Sequence, residues 1–165
     1  MPTARQVACA TLLHWTRLDD PPFLPERSDP AWQPLTARDR AFAFDLLTGV
    51  LRWRNTLDAV IASRLRQPLE LLDLPVRAIL WLGAYQLLFQ SSGPGGVTEY
   101  AAVDTSVGIA RAGAQTARAA GLVNAVLRNI ARLRPVRVLI PAAASAALSR
   151  RGFARLQPQR RGGCI

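Results

Sequence analysis

The sequence predicts an all-α fold, a bundle of six or seven helices, and three observations carry that expectation. Apolar residues recur at helical spacing in six successive segments. Almost nothing alternates apolar and polar residues as a half-buried strand would. Half of the 165 residues are apolar, which suits one domain with a real core and leaves too few residues for two large ones.

The first helix is expected from about Thr3 to Leu18, with Val7, Ala8, Thr11, Leu12, Trp15 and Leu18 on one face. It stops before Asp19-Asp20-Pro21-Pro22, the start of a proline-rich loop that also holds Pro25, Pro30 and Pro34. A capping box opens the second helix: Thr36 is the N-cap and Asp39, three residues on, supplies the carboxylate. Its buried stripe is Phe42, Leu46, Gly49, Val50 and Trp53. A third helix is expected to start at Asn55 and to bury Leu57, Val60, Ile61 and Leu65 before Gln67-Pro68 ends it. A turn over Leu69 to Asp73 then leads to Pro75, a favourable first helical position.

The fourth helix, about Pro75 to Phe89, is apolar nearly all round, which marks a central element contacted on every side. Gly83 and Ala84 lower its helix propensity but let another helix cross closely. Ser91 to Gly96 reads as a loop. The fifth helix begins near Thr98, with Glu99 beside the positive end of its dipole, and Gly113 stops it. The sixth covers roughly Thr116 to Leu133, with Leu122, Val123, Val126, Leu127 and Ile130 inward. The six helices suit two antiparallel sub-bundles around the fourth.

Charge narrows the function. The net charge is +10, all 21 basic residues are arginine, and seven of them lie after residue 132, where there is no acid. Residues 1–132 therefore carry 14 arginines against 11 acids, a net of only +3. Arginine grips phosphate bidentately and stacks on bases, which fits a polyanionic partner. A complete lack of lysine equally suits a GC-rich coding bias, and composition leaves both readings open. Residues 135–165 are rich in alanine, arginine and proline without a sustained amphipathic pattern, so they are expected to be a disordered tail after a domain over 1–134. The abrupt loss of acids there motivates a hypothesis that the tail reflects a frameshift or truncation of a longer gene.

Several function classes are set aside. No apolar run reaches the roughly 18 residues that span a bilayer, and the densest, Val76 to Phe89, holds Arg77. Arg5 and Gln6 interrupt any secretory leader. Cys9 and Cys164 form no CxxC and have no histidine nearby, so neither a disulfide framework nor a metal site is expected, and the cytoplasm is the expected location. His14 has no second histidine or carboxylate triad to work with, so catalysis by it is not expected.

Five ordered stretches resemble one family: ARQVACATLLHW (4–15), DRAFAFDLLTGVLRWRNTLD (39–58), LGAYQLLF (82–89), AAVDTSVGIAR (101–111) and GLVNAVLRNIAR (121–132). Their order and spacing are similar to the NusB fold, found alone as a transcription antitermination factor and as the N-terminal domain of the RsmB/Sun/Fmu rRNA cytosine-5 methyltransferases. GAYQLL, AAVD and LVNAVLR look closer to the methyltransferase-attached version. The resemblance implies a NusB-like helical bundle that binds rRNA or its leader transcripts without catalysis. Two alternatives stay open: a methyltransferase fragment lacking its catalytic domain, and an antitermination factor acting with a ribosomal protein partner. No cofactor is expected, because the glycine-rich turn that binds S-adenosylmethionine is missing.

By position in the family pattern, RNA contacts fall at the start of the first helix and around the connection between the last two. That points to Arg5, to Arg111 and Arg118 flanking Gly113, and to Arg128 and Arg132, spaced four apart on one helix face. The first motif departs from the free factors, which begin with a denser basic cluster: here only Arg5 precedes Arg17. Most other motif residues read as packing: Leu82 to Phe89, Trp15 and Trp53 as core, Asn124 as a buried hydrogen-bonding residue, Asp39 as a helix cap, and Asp104 as a surface carboxylate or an arginine's partner.

Overall fold

The computed structural model describes residues 1–18, 30–90 and 96–133. The expectations for residues 135–165, and for most of the two loops beginning at Asp19 and Ser91, lie outside these residues. Among the described residues there are five α-helices and no strand: α1 Ala4–Trp15, α2 Ala37–Ala62, α3 Leu74–Tyr85, α4 Glu99–Ala112 and α5 Ala120–Ala131. The all-α reading holds, but the count falls below the six or seven expected.

The difference arises at Asn55, which opens no new helix. The second and third segments are one 26-residue helix, α2, that runs straight through it. No proline or glycine separates Trp53 from Leu57, so nothing breaks the hydrogen-bond ladder there. The apolar stripe is also continuous: Leu46, Leu47, Val50, Leu57 and Ile61 are each fully buried. Arg54 and Asp58, one turn apart across the supposed junction, pair at 3.3 Å.

Caps fix the helix starts. Thr3 accepts from the backbone N–H of Gln6 while Gln6 Oε1 accepts from the N–H of Thr3, a reciprocal box at α1. At α2 only half of the expected box forms. Thr36 accepts from the N–H of Asp39, but its hydroxyl donates to the Asp39 carboxylate at 2.8 Å, which therefore does not reach back to the backbone. Thr98 caps α4 through the N–H of Ala101. Gly113 ends α4 in an extended conformation, where an added Cβ would stand 2.4 Å from Thr116 Oγ1. That hydroxyl donates to the carbonyl of Ala110 and closes the helix end. A single 3₁₀ turn, Ala117–Ala119, then leads into α5.

The expected central helix is α3, which packs against each of the other four helices. Trp81, Leu80, Ala78 and Ala84 are fully buried, and Ile79 and Leu82 nearly so. It shares one group of contacts with α1 and α2 and a second with α4 and α5, as two sub-bundles around it would. Gly83 lets α4 and α5 approach: a Cβ there would lie 2.5 Å from Leu127 and 2.9 Å from Ser106 Oγ. The α-helix ends sooner than Phe89, at Tyr85, and continues as a π-helical turn, Gln86–Gln90.

Several side chains depart from their expected burial: Phe42, Val60, Leu65, Leu88 and Phe89 are only half-buried, and three others stand out. Leu122 is 36% exposed and Leu18 39% exposed, the first on the outer arc of α5 and the second beyond the end of α1. Trp53 is half-buried and stacks on Phe89 at 4.9 Å between ring centroids. Trp15, by contrast, is a core anchor as expected.

Candidate nucleic-acid interface

Charge is not spread evenly over the folded chain. Residues 1–104 hold ten arginines against eleven acids, whereas residues 105–133 hold four arginines and no acid. Among the described residues alone, those up to 104 carry nine arginines against seven acids, a net of +2, while 105–133, the second half of α4, the 3₁₀ turn and α5, carry +4. Counting charge by segment, rather than for the whole chain, is the sequence signal that isolates this hairpin.

All four of its arginines, Arg111, Arg118, Arg128 and Arg132, are exposed. Arg111 lies in the last turn of α4, and Arg118 in the 3₁₀ turn. On α5 the exposed residues Gly121, Ala125, Arg128 and Arg132 recur at i, i+4, i+7 and i+11, so they form one lengthwise strip. Open space faces the Cα of Gly121, which leaves the backbone low between the flanking arginines. Arg128 is not a loose side chain. Its Nε donates to Asn124 Oδ1 at 2.9 Å, one turn back, which orients the guanidinium while its remaining donors stay outward. Asn124 is half-buried rather than buried, and its task is to aim Arg128. Asp104 is exposed on α4.

Arg5 is built in more deeply. Its Nε donates to Gln86 Oε1 at 2.6 Å and its guanidinium lies over the Phe42 ring at 4.9 Å. Burial lowers its pKa from the ordinary arginine value, yet a guanidinium remains charged at neutral pH. Gln86, fully buried at the start of the π-helical turn, is the site residue that sequence reasoning missed. The signal was present, since Gln86 is a polar residue inside an otherwise apolar run. Its amide donates to the carbonyl of Leu82 at 2.9 Å, which fixes the oxygen that holds Arg5.

The five arginines sort into two groups. Cys9 and Leu13 of α1 and Arg17 just past its end line one groove with Pro75 of α3 and with Gly113 to Thr116, so the α4–α5 turn sits at the start of α3. The π-helical turn at the other end of α3 packs on both α4 and α5. Arg5, Arg128 and Arg132 therefore share the π-turn end, while Arg111 and Arg118 share the opposite end. The two groups are separated by the length of α5, roughly 18 Å for twelve residues.

Cys9 is buried within α1, and burial pushes its thiol up to about 12, so it is a neutral thiol rather than a nucleophile. Among the described residues no group of three histidine, cysteine, aspartate or glutamate side chains could hold a metal ion. No described helix is long and apolar enough to cross a membrane.

A helical bundle with an acid-free, arginine-bearing hairpin defines the class, a scaffold that presents cations along one edge. The profile of the NusB family matches residues 2–132, and the chain belongs to that family. The fold agrees: NusB of T. maritima superposes with a TM-score of 0.63 at 20% identity, over 81% of this chain and 92% of that one. Longer relatives match as well. Ribosomal RNA small subunit methyltransferase B of Pseudomonas syringae pv. tomato is 38% identical over 95 residues, which is 58% of this chain and 20% of that protein. A putative methyltransferase of Mycobacterium tuberculosis is 41% identical over 101 residues, or 61% and 21% of the two chains. A probable small subunit methyltransferase B of Synechocystis is 35% identical over 114 residues, or 68% and 24%. The chain thus spans about a fifth to a quarter of the length of these relatives.

Proposed function

We propose that this chain is a non-catalytic RNA-binding domain that contacts rRNA or an rRNA leader through arginine–phosphate contacts. The observation that carries the reading is the hairpin of residues 105–133, with four exposed arginines and no acid. Phosphate contacts of this kind give affinity and register but little base specificity. The two groups of arginines, one at each end of α5, suit a strand that follows the hairpin over several nucleotides. Arg5, fixed by Gln86 and Phe42, offers a preset guanidinium at the π-turn end.

The identity to rRNA methyltransferases favours a particular form of this reading. The chain would be the RNA-gripping part of such an enzyme, needing no S-adenosylmethionine itself, rather than a free antitermination factor paired with a ribosomal protein. A gel shift of the full chain with a single-stranded rRNA fragment tests it. Binding is expected without any added protein and should weaken steeply between low and moderate salt. A shift that appears only once a ribosomal protein is present would replace this reading with that of a protein-interaction module.

A further inference from the structure

Among the described residues, three arginines meet a side-chain oxygen at Nε, and those oxygens differ in charge. On α2, Arg54 faces a carboxylate: its Nε lies 3.3 Å from Asp58 Oδ2, the only ion pair among the described residues. Asp58 also accepts from Trp81 Nε1 at 2.6 Å, and the Arg54 guanidinium lies 3.3 Å from the centroid of that indole. Arg5 and Arg128, which share the π-turn end, are held by neutral amides instead. Arg5 Nε donates to Gln86 Oε1 at 2.6 Å, and Arg128 Nε to Asn124 Oδ1 at 2.9 Å.

An amide and a carboxylate at these positions differ in little but charge. Either presents an oxygen to Nε, so either can fix the side chain. Only the amide leaves the guanidinium its full charge, because a carboxylate neutralises it in an ion pair. A bond at Nε also leaves both terminal nitrogens for a bidentate grip on phosphate. The oxygen at Arg5 is itself immobile, since Gln86 is fully buried and its amide donates to the carbonyl of Leu82 at 2.9 Å. Burial lowers the Arg5 pKa with no charged neighbour to offset it. Around Arg128 the whole run 105–133 is free of acids. A half-buried cation held without an acid gains the fold nothing, so both arrangements serve a ligand better than they serve the core.

We propose that Gln86 and Asn124 are positioning residues, neutral clamps that aim Arg5 and Arg128 at RNA phosphates while leaving both guanidinium charges uncompensated. To the RNA reading, on which they rest, the clamps add a requirement: the holding group must be an amide, not merely a hydrogen-bond acceptor.

Replacements of the same shape separate charge from geometry. Asn124→Asp keeps an oxygen facing Arg128 and adds a charge. It should melt no lower than the wild type, because an acid one turn before an arginine pairs with it on a helix surface. With a single-stranded rRNA fragment, its plot of log affinity against log salt should become shallower by about 0.7, as if one phosphate contact were lost. Gln86→Glu should do the same through Arg5; if that buried change prevents folding, Asn124→Asp at the surface decides. Asn124→Ala keeps the charge and loses the aim. Its affinity should fall about two- to tenfold at every salt concentration with the slope unchanged, and no further when it is added to Arg128→Gln.

Full affinity and slope in a folded Asn124→Asp would overturn the proposal and leave the RNA reading intact. So would a loss in Asn124→Ala that persists undiminished beside Arg128→Gln, since Asn124 would then not act through Arg128. Melting with added tripolyphosphate separates the two failures. If the wild type binds no RNA but tripolyphosphate stabilises it more than Asn124→Asp, the clamps stand and the RNA reading falls. No RNA binding together with equal stabilisation of the two proteins would sink both.

Discussion

Replacing Trp81 by alanine is expected to remove about 3–5 kcal/mol of unfolding free energy, a large share of the roughly 5–15 kcal/mol that holds a typical domain together. The side chain is fully buried on α3, which packs against each of the other four α-helices. Its loss opens a cavity at the seam between α2 and α3. It also strands Asp58, whose 2.6 Å partner disappears, and removes the ring on which Arg54 lies. Urea unfolding followed by far-ultraviolet circular dichroism checks this. Trp81→Phe, which keeps most of the volume but not the N–H, should fall well short of the alanine loss.

A second large effect is expected at Gly83. A methyl group there would meet Leu127 at 2.5 Å and Ser106 Oγ at 2.9 Å, where α3 crosses α4 and α5. Relief requires the fully buried Leu127 side chain and the Ser106 hydroxyl to shift or the helices to part, and overpacking of this kind costs about 1–3 kcal/mol. Because the nearest atoms are the Leu127 methyls, Gly83→Ala and Leu127→Ala should not add. Leu127→Ala alone leaves a cavity and should cost about 2–5 kcal/mol. The double variant should then be more stable than the sum of the two losses implies, with a coupling of at least 0.5 kcal/mol. Strict additivity in urea unfolding would mean that α3 and α5 do not meet where the structure places them.

Much of the bundle was legible in the sequence because its signals are local. Thr36, Thr98, Pro75 and Gly113 act on their own backbone, and each marks a helix end within a few residues. The all-apolar run of α3 announced a central helix because only a helix contacted on every side can bury such a surface. What failed was the reading of Asn55 as a start. A weak cap preference lost to a stripe of buried residues that continues from Leu46 to Ile61. Leu122 was misplaced because its apolar character was read as burial, although it lies on the same side of α5 as the exposed Ala125 and Asn129.

The candidate site was legible as residue types but not as an arrangement. The motif pattern pointed to Arg5, Arg111, Arg118, Arg128 and Arg132 without indicating which share an end of the bundle. Gln86 is 81 residues from Arg5, and their hydrogen bond exists only because α1 runs antiparallel to α3.

If exposed arginines of the last hairpin grip RNA phosphates, the double variant Arg128→Gln/Arg132→Gln should lose affinity and salt dependence together. Both positions are exposed and outside the core, so the variant should keep the wild-type melting curve. With a single-stranded rRNA fragment, the plot of log affinity against log salt should become shallower by about 1.4, two contacts at roughly 0.7 each. An unchanged slope and affinity in a fully folded double variant would contradict the claim.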